Sequence, residues 1–181
     1  MAEFHFVEDY ERLVKLLIAQ HPIDNAMSMA VGGGYDVVGQ IEASILRHFG
    51  LCDGMNLIDL GCGSGRLAAA INRFVNIDYL GIDIIQEMLD YAKTKSPPNY
   101  RFVLNRELSI PASDNSADYV TAFSVFTHLL QPEIFLYMKD IGRVLRSGGS
   151  LIFSFLELES SAHWDAFMNA VAGRRNRLPT T

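Results

Sequence analysis

Three groups of residues have the types and spacing to do chemistry. The first is Asp59-Leu60-Gly61-Cys62-Gly63-Ser64-Gly65-Arg66, a glycine-rich turn behind a short apolar run. Glycine at 61 and 63 permits a tight turn and lets a ligand approach the backbone, because no side chain stands in the way. The second is Gly81-Ile82-Asp83, which closes the next apolar run 22 residues after Gly61. A carboxylate there is placed to accept hydrogen bonds from two ribose hydroxyls, or to cap the helix that follows, or both. The third is His128 in Ser124-Val125-Phe126-Thr127-His128-Leu129. Its imidazole titrates near neutrality and suits a general base, while packing or hydrogen bonding within the loop is the competing role.

The glycine spacing narrows the ligand. A dinucleotide fingerprint reads G-x-G-x-x-G, and here the sixth position is Arg66, whose bulk would obstruct the close helix–strand packing that a third glycine permits. The observed pattern is G-x-G-x-G, which counts against a nicotinamide-dependent oxidoreductase. A Walker A loop is excluded, since no Gly-Lys-Ser/Thr follows at the required distance. With Asp83 the turn reads as a nucleoside-binding site.

These groups need elements to hold them. Tyr10, Leu13, Val14, Leu17 and Ile18 recur at helical spacing, and His21-Pro22 closes that helix. After the break at Gly32-Gly33-Gly34, a second helix is predicted on Val38, Ile41, Ile45 and Phe49. From there strands and helices alternate. Strands are predicted at Met55–Leu60, Ile77–Ile82, Tyr100–Leu104, Tyr119–Phe123 and Ser150–Leu156. Helical stripes between them run on Leu67, Ala70, Ile71 and Phe74, then on Ile85, Met88, Leu89 and Ala92. A further helix starts near Pro132, carries Ile134, Met138, Ile141 and Leu145, and is capped by Ser147-Gly148-Gly149. Trp164, Phe167, Met168 and Val171 suit a last helix. Such alternation implies an α/β fold, a doubly wound and mostly parallel sheet with helices on both faces. Ligands bind such sheets at the carboxyl ends of the strands, where the strand order reverses.

Composition is that of a globular domain: 181 residues, 49% hydrophobic and 20% charged. The net charge of −6 and pI near 5.3 argue against a nucleic-acid partner, the basic residues Arg174, Arg175 and Arg177 reading as a solvated tail. Cys52 and Cys62 form no metal-binding pair, and the five histidines have no ligand spacing, so no metal is expected. The amino terminus is acidic rather than signal-like, and no apolar run approaches a membrane span. A cytoplasmic location without membrane association is expected.

The stretch Leu57-Ile58-Asp59-Leu60-Gly61-Cys62-Gly63-Ser64-Gly65 resembles the signature loop of class I S-adenosylmethionine-dependent methyltransferases. Three more segments match that family in order. They are Gly81-Ile82-Asp83, Asp118-Tyr119-Val120 leading to the Ser124–Leu129 loop, and Arg143-Val144-Leu145-Arg146-Ser147-Gly148-Gly149-Ser150-Leu151. The resemblance covers residues 35–156 and implies a Rossmann-like fold with S-adenosylmethionine as cofactor. The chain is read as one domain, residues 1–181. It has a helical cap region (1–50), a cofactor-binding core (51–156) and a terminal helix and tail (157–181).

By that resemblance, Asp59 orients the methionine amino group and the backbone at Gly61, Cys62 and Gly63 passes beneath the methionine. Asp83 holds the ribose, Ile84 and Met88 pack against adenine, and Phe123 and Ser124 line the floor through their backbone. Tyr35 either closes over the cofactor or starts its helix as a core aromatic. The match departs in two places. Where the family has an acidic residue beyond the third strand, this sequence has Arg106, which cannot accept a bond from the adenine amino group. Asn105, or else Glu107, is expected to serve instead. The antiparallel hairpin that normally completes the sheet does not follow the last helix: either the sequence is a piece of a longer protein, or the sheet ends at five strands with an edge that a second copy, as a homodimer, could cover.

The reaction implied is in-line displacement, in which alignment of the acceptor is worth about 7–11 kcal/mol and a base is needed only for a tightly held proton. No Asn/Asp-Pro-Pro-Tyr follows the fourth strand, Pro97-Pro98-Asn99-Tyr100 being a loop elsewhere, and neither cysteine follows a proline. Nucleobase methylation is therefore disfavoured, and the Ser124–Leu129 loop is similar to that of methyltransferases acting on small metabolites, which implies a small-molecule acceptor. The rival is a non-catalytic methyltransferase-like binding module.

Overall fold

A computed structural model describes residues 7–175, without the side chains at 166 and 170–175. His5, the side chains of Val171, Arg174 and Arg175, and Arg177 thus lie outside the described residues. Three helices come first, α1 (Val7–Gln20), α2 (Ile23–Ala30) and α3 (Tyr35–His48). The alternating part follows as β1 (Asn56–Leu60), α4 (Arg66–Ile71), β2 (Asp78–Asp83), α5 (Gln86–Lys95), β3 (Arg101–Leu104) and β4 (Ala117–Ala122). It ends with α6 (Gln131–Val144), β5 (Leu145–Phe153) and α7 (Ser161–Arg175). The five strands form one sheet in the order β3-β2-β1-β4-β5, every pairing parallel. Strand order therefore reverses between β1 and β4, the switch point at which doubly wound sheets bind ligands.

Alternation along the strands sends side chains to two layers. Ile58, Leu60, Leu80, Ile82 and Val120 pack with Tyr137, Ile141 and Val144 of α6. Leu57, Tyr79 and Tyr119 pack on the opposite face with Leu46 of α3 and Leu67, Ala68 and Ile71 of α4. A third cluster joins α1 and α2 to α5 through Val14, Met27, Ile85 and Met88. Val7 belongs to the first cluster and Val14 to the third, so α1 runs across the carboxyl end of the sheet.

Several predicted elements need correction. The apolar stripe of α3 does not face the core: Ile41 and Phe49 are exposed, and the buried face is Gly39, Glu42, Ala43 and Leu46. The cause is a close helix crossing. A Cβ at residue 39 would stand 2.5 Å from the Arg66 carbonyl oxygen, so glycine is what allows α3 and α4 to meet there. Glu42 stays ionically paired in that crossing. In α1, Leu13 is likewise exposed while Val7, Val14 and Leu17 are buried. The eight-residue α2 forms between Pro22 and the break at Gly32-Gly33-Gly34, where no helix is predicted. Phe74 lies beyond the end of α4. Ser147-Gly148-Gly149 caps no helix: Leu145 is already extended and pairs with Ala117, and Gly148, at φ 83°, lies in an irregular stretch before Ser150 pairs with Tyr119.

Candidate active site

The turn after β1 is pinned to the end of β2. Ile82's carbonyl accepts the N–H groups of Gly61 and Cys62 at 2.8 and 3.0 Å. Gly61 and Gly63 have φ of 70° and 56°, in the left-handed region that glycine enters at no steric cost. Neither position has room for a side chain. A Cβ on Gly61 would meet Val125 Cγ2 at 2.4 Å, and one on Gly63 would meet Val31 Cγ1 at 2.8 Å. The turn is thus lined by the loop after β4 on one side and the α2–α3 connection on the other.

Asp83 closes the other wall. One carboxylate oxygen accepts the Gly63 N–H at 2.8 Å; the other accepts those of Ile84 at 2.8 Å and Ile85 at 3.0 Å. Burial raises its carboxyl pKa and the three backbone donors oppose that rise. Three donors leave capacity on the two oxygens for one more. The carboxylate therefore braces the glycine turn and holds the two residues that lead into α5.

Asp59 has a different environment. It is buried, with Tyr79 Oη donating to Oδ2 at 2.5 Å and Thr121 Oγ1 donating to Oδ1 at 2.8 Å. Burial pushes its pKa up to about 7, against the two hydroxyl donors. Asp59, Tyr79 and Thr121 sit on three adjacent strands on one sheet face, and the aspartate is held beneath the glycine turn rather than at its surface. Cys62 is buried beside it, its thiol pushed up by the same burial.

The remaining expected residues fall around this pair of walls. Tyr35 starts α3 and donates through its hydroxyl to the Ser64 carbonyl at 3.1 Å, with its ring edge-on to Tyr91. Ile84 packs against both the α6-side cluster and the α1–α5 cluster, and Met88 is fully buried with its methyl toward Gly63. Asn105 spends its side chain within its own loop: Nδ2 donates to the carbonyls of Glu107 and Ser109, and Oδ1 accepts the Glu107 N–H. Phe123 is half-buried. Ser124 has φ 58°, unusual for a non-glycine residue, and its N–H donates to Ser154 Oγ at 2.7 Å. His128 stands on the same turn, its N–H bonded to the Val125 carbonyl, and burial holds its imidazole below the usual value.

Four participants were not expected from the sequence. Tyr10 of α1 donates to the Ala30 carbonyl at 2.8 Å and lies near enough to Asp83 to feel its charge. Arg66 forms a two-pronged bond to buried Glu42, at 3.2 and 2.5 Å, and donates to the Val31 carbonyl. Glu11 and Arg106 are paired across α1 and the loop after β3. Tyr79 and Thr121, the partners of Asp59, were likewise not anticipated, although Tyr79 and Gly81 share a sheet face with the neighbouring Asp59; the others depend on contacts remote in sequence.

Asp83 and Glu11 bring carboxylate acceptors to this strand end. S-adenosylmethionine presents donors, namely its ammonium, its ribose diol and its adenine amino group, beside a cationic sulfonium. The donor set fits it.

The family model of the methyltransferase domain matches residues 58–153, just over half of the chain. The chain belongs to that family, and its reading as a class I S-adenosylmethionine-dependent methyltransferase domain stands. A demethylmenaquinone methyltransferase of Staphylococcus aureus is 30% identical over 112 residues, 60% of this chain and 46% of the relative. The match thus spans about half the length of that curated relative. Among solved structures, an S-adenosylmethionine-dependent methyltransferase from Aquifex aeolicus is 27% identical, with a TM-score of 0.54 over 61% of each chain. A phosphoethanolamine N-methyltransferase of Haemonchus contortus, bound to phosphoethanolamine and S-adenosylhomocysteine, shares the fold. It is 15% identical, with a TM-score of 0.63 over 84% of this chain and 33% of that one. No helix among the described residues is long and apolar enough to cross a membrane.

Proposed function

We propose that this chain binds S-adenosylmethionine and transfers its methyl group to a small-molecule acceptor by in-line displacement. The observation that carries the reading is Asp83, which collects the N–H groups of Gly63, Ile84 and Ile85 while bracing a side-chain-free turn at the switch point of the sheet. In this role Asp83 accepts a ribose hydroxyl, and Gly61, Cys62 and Gly63 offer main-chain groups to the methionine end. Asp59 acts from beneath, tied through Tyr79 and Thr121 to the strands on either side of β1. Ile84 and Met88 supply apolar surface to the base, Tyr35 holds the turn from above, and Asn105 shapes the loop beyond β3. The backbone of Phe123 and Ser124 forms the floor.

When bound, the sulfonium supplies an already activated methyl group, so the protein's work is alignment and exclusion of water. Ser124, held in a strained conformation by Ser154, sets where the acceptor meets that group. Partial desolvation favours the neutral form of His128, which receives a proton when the acceptor has one to lose. The net charge of −6 favours a small molecule over nucleic acid. The S. aureus relative, named for a quinone precursor, and the phosphoethanolamine enzyme both act on small molecules by name, which supports the same class. A second copy paired along the exposed edge of β5 is the oligomer proposed, supported by the exposed side chains of Phe153 and Phe155.

Thermal unfolding with S-adenosylmethionine, S-adenosylhomocysteine and NAD tests the cofactor. A ligand at 100 times its Kd stabilises by about 2.7 kcal/mol, a rise of roughly 5–10 °C here. The two methionine-derived ligands should raise the midpoint and NAD should not; a rise with NAD alone, or with none, sinks the reading.

A further inference from the structure

Given the cofactor reading above, on which this rests, we propose that Glu11, carried on α1, recognises the adenine amino group, with Arg106 as the residue that positions it. A nucleoside whose ribose lies on Asp83 extends its base past the next residue, Ile84, toward the loop after β3. Adenine then presents an exocyclic amino group, a donor, that needs an acceptor. At that loop Arg106 has donors only, Asn105 Oδ1 already accepts the Glu107 N–H, and the Glu107 carboxylate is exposed.

Glu11 brings an acceptor from another element. It lies four residues after Val7 and three before Val14, the buried residues that seat α1 in the first and third clusters. Ile84 packs against both of those clusters, so Glu11 stands on the helix face that crosses Ile84. Its side chain is 27% exposed. A carboxylate so placed needs a partner, and Arg106 supplies it: Nη2 bonds Oε1 of Glu11 while Nε donates to the Ile84 carbonyl at 3.2 Å. The guanidinium thereby fixes the carboxylate one residue beyond Asp83 and takes only one of its two oxygens. Oε2 is the acceptor assigned to adenine.

The test compares S-adenosylhomocysteine with S-inosylhomocysteine, in which a carbonyl replaces the amino group, by calorimetric titration. A hydrogen bond to a charged acceptor predicts that the wild type prefers the adenine compound by about tenfold to a hundredfold. In Glu11→Ala that preference should fall within about threefold, and in Glu11→Gln, whose amide can donate to the carbonyl, it should vanish or reverse. Lys15→Ala, which removes another inter-element ion pair of α1, to Glu87, should keep the wild-type preference, separating lost recognition from a loosened helix. Equal weakening of both ligands in the Glu11 variants with the preference intact overturns the assignment, as does a wild type that does not discriminate. A wild type that binds neither ligand instead overturns the cofactor reading itself.

Discussion

Asp59 and Asp83 stand at the ends of neighbouring strands, and their surroundings give them different tasks. Asp83 is surrounded by backbone N–H groups and keeps capacity for one further donor, whereas Asp59 is enclosed by two hydroxyls. Asp83→Asn should weaken S-adenosylhomocysteine at least tenfold by titration and cost about 1–3 kcal/mol of stability, because three backbone donors lose a charged acceptor. Asp59 predicts a pH signature. Its folded pKa, about 7, lies above the ordinary 3.8, so the folded state binds the proton more tightly. Its contribution to stability is full below the ordinary value, is lost as pH rises toward about 7, and is flat beyond. Urea unfolding between pH 4.5 and 8 should show that Asp59→Asn removes a falling component from the wild-type profile. Identical slopes would mean that Asp59 is ionised throughout.

At the scale of elements, the link between α3 and α4 has the largest energetic stake. Glu42 and Arg66 are nearly buried, and a buried pair with one partner removed leaves an uncompensated charge costing about 3–5 kcal/mol. Glu42→Ala should therefore lower the unfolding midpoint by roughly 10 °C. Replacing both residues by apolar ones of similar volume should recover much of that loss, which differential scanning calorimetry would show. The same pair explains where sequence reading failed. Periodicity assigned the core face of α3 to Val38, Ile41, Ile45 and Phe49, because a charged glutamate reads as surface until its arginine, 24 residues on, is placed beside it. The alternation from β1 onward was legible, since short runs rich in apolar residues alternate with helical stripes and are separated by polar or glycine-containing turns. The short α2 was not, because eight residues give too few turns for a period, and Gly148 was taken for a helix cap when it lies within an irregular strand. Within the site, the glycine turn, Asp83 and the Ser124–His128 turn were legible because they are local. Tyr10, Glu11 and Arg66 were not, because their roles arise only when α1 and α3 fold back over the sheet.

For the molecule as a whole, the sheet is asymmetric: β3 at one edge has four residues, while β5 at the other has nine and ends beside exposed Phe153 and Phe155. A long edge strand that ends in apolar residues invites pairing with another chain. Sedimentation velocity should find the wild type as a dimer, and Phe155→Lys should shift it toward monomer without lowering affinity for S-adenosylhomocysteine. A monomeric wild type would remove the second copy as the partner of that edge.

The bond from Ser124 to Ser154 reaches further than the turn it steadies. Ser154 directly follows β5, and its own N–H returns to the Ala122 carbonyl at 3.3 Å, so the outermost strand and the floor of the transfer site are stitched together in both directions. Whatever rests against the rim of the sheet thereby leans on the spot where donor and acceptor must line up. Crowding or easing that rim is a way to detune alignment from outside, with nothing entering the pocket.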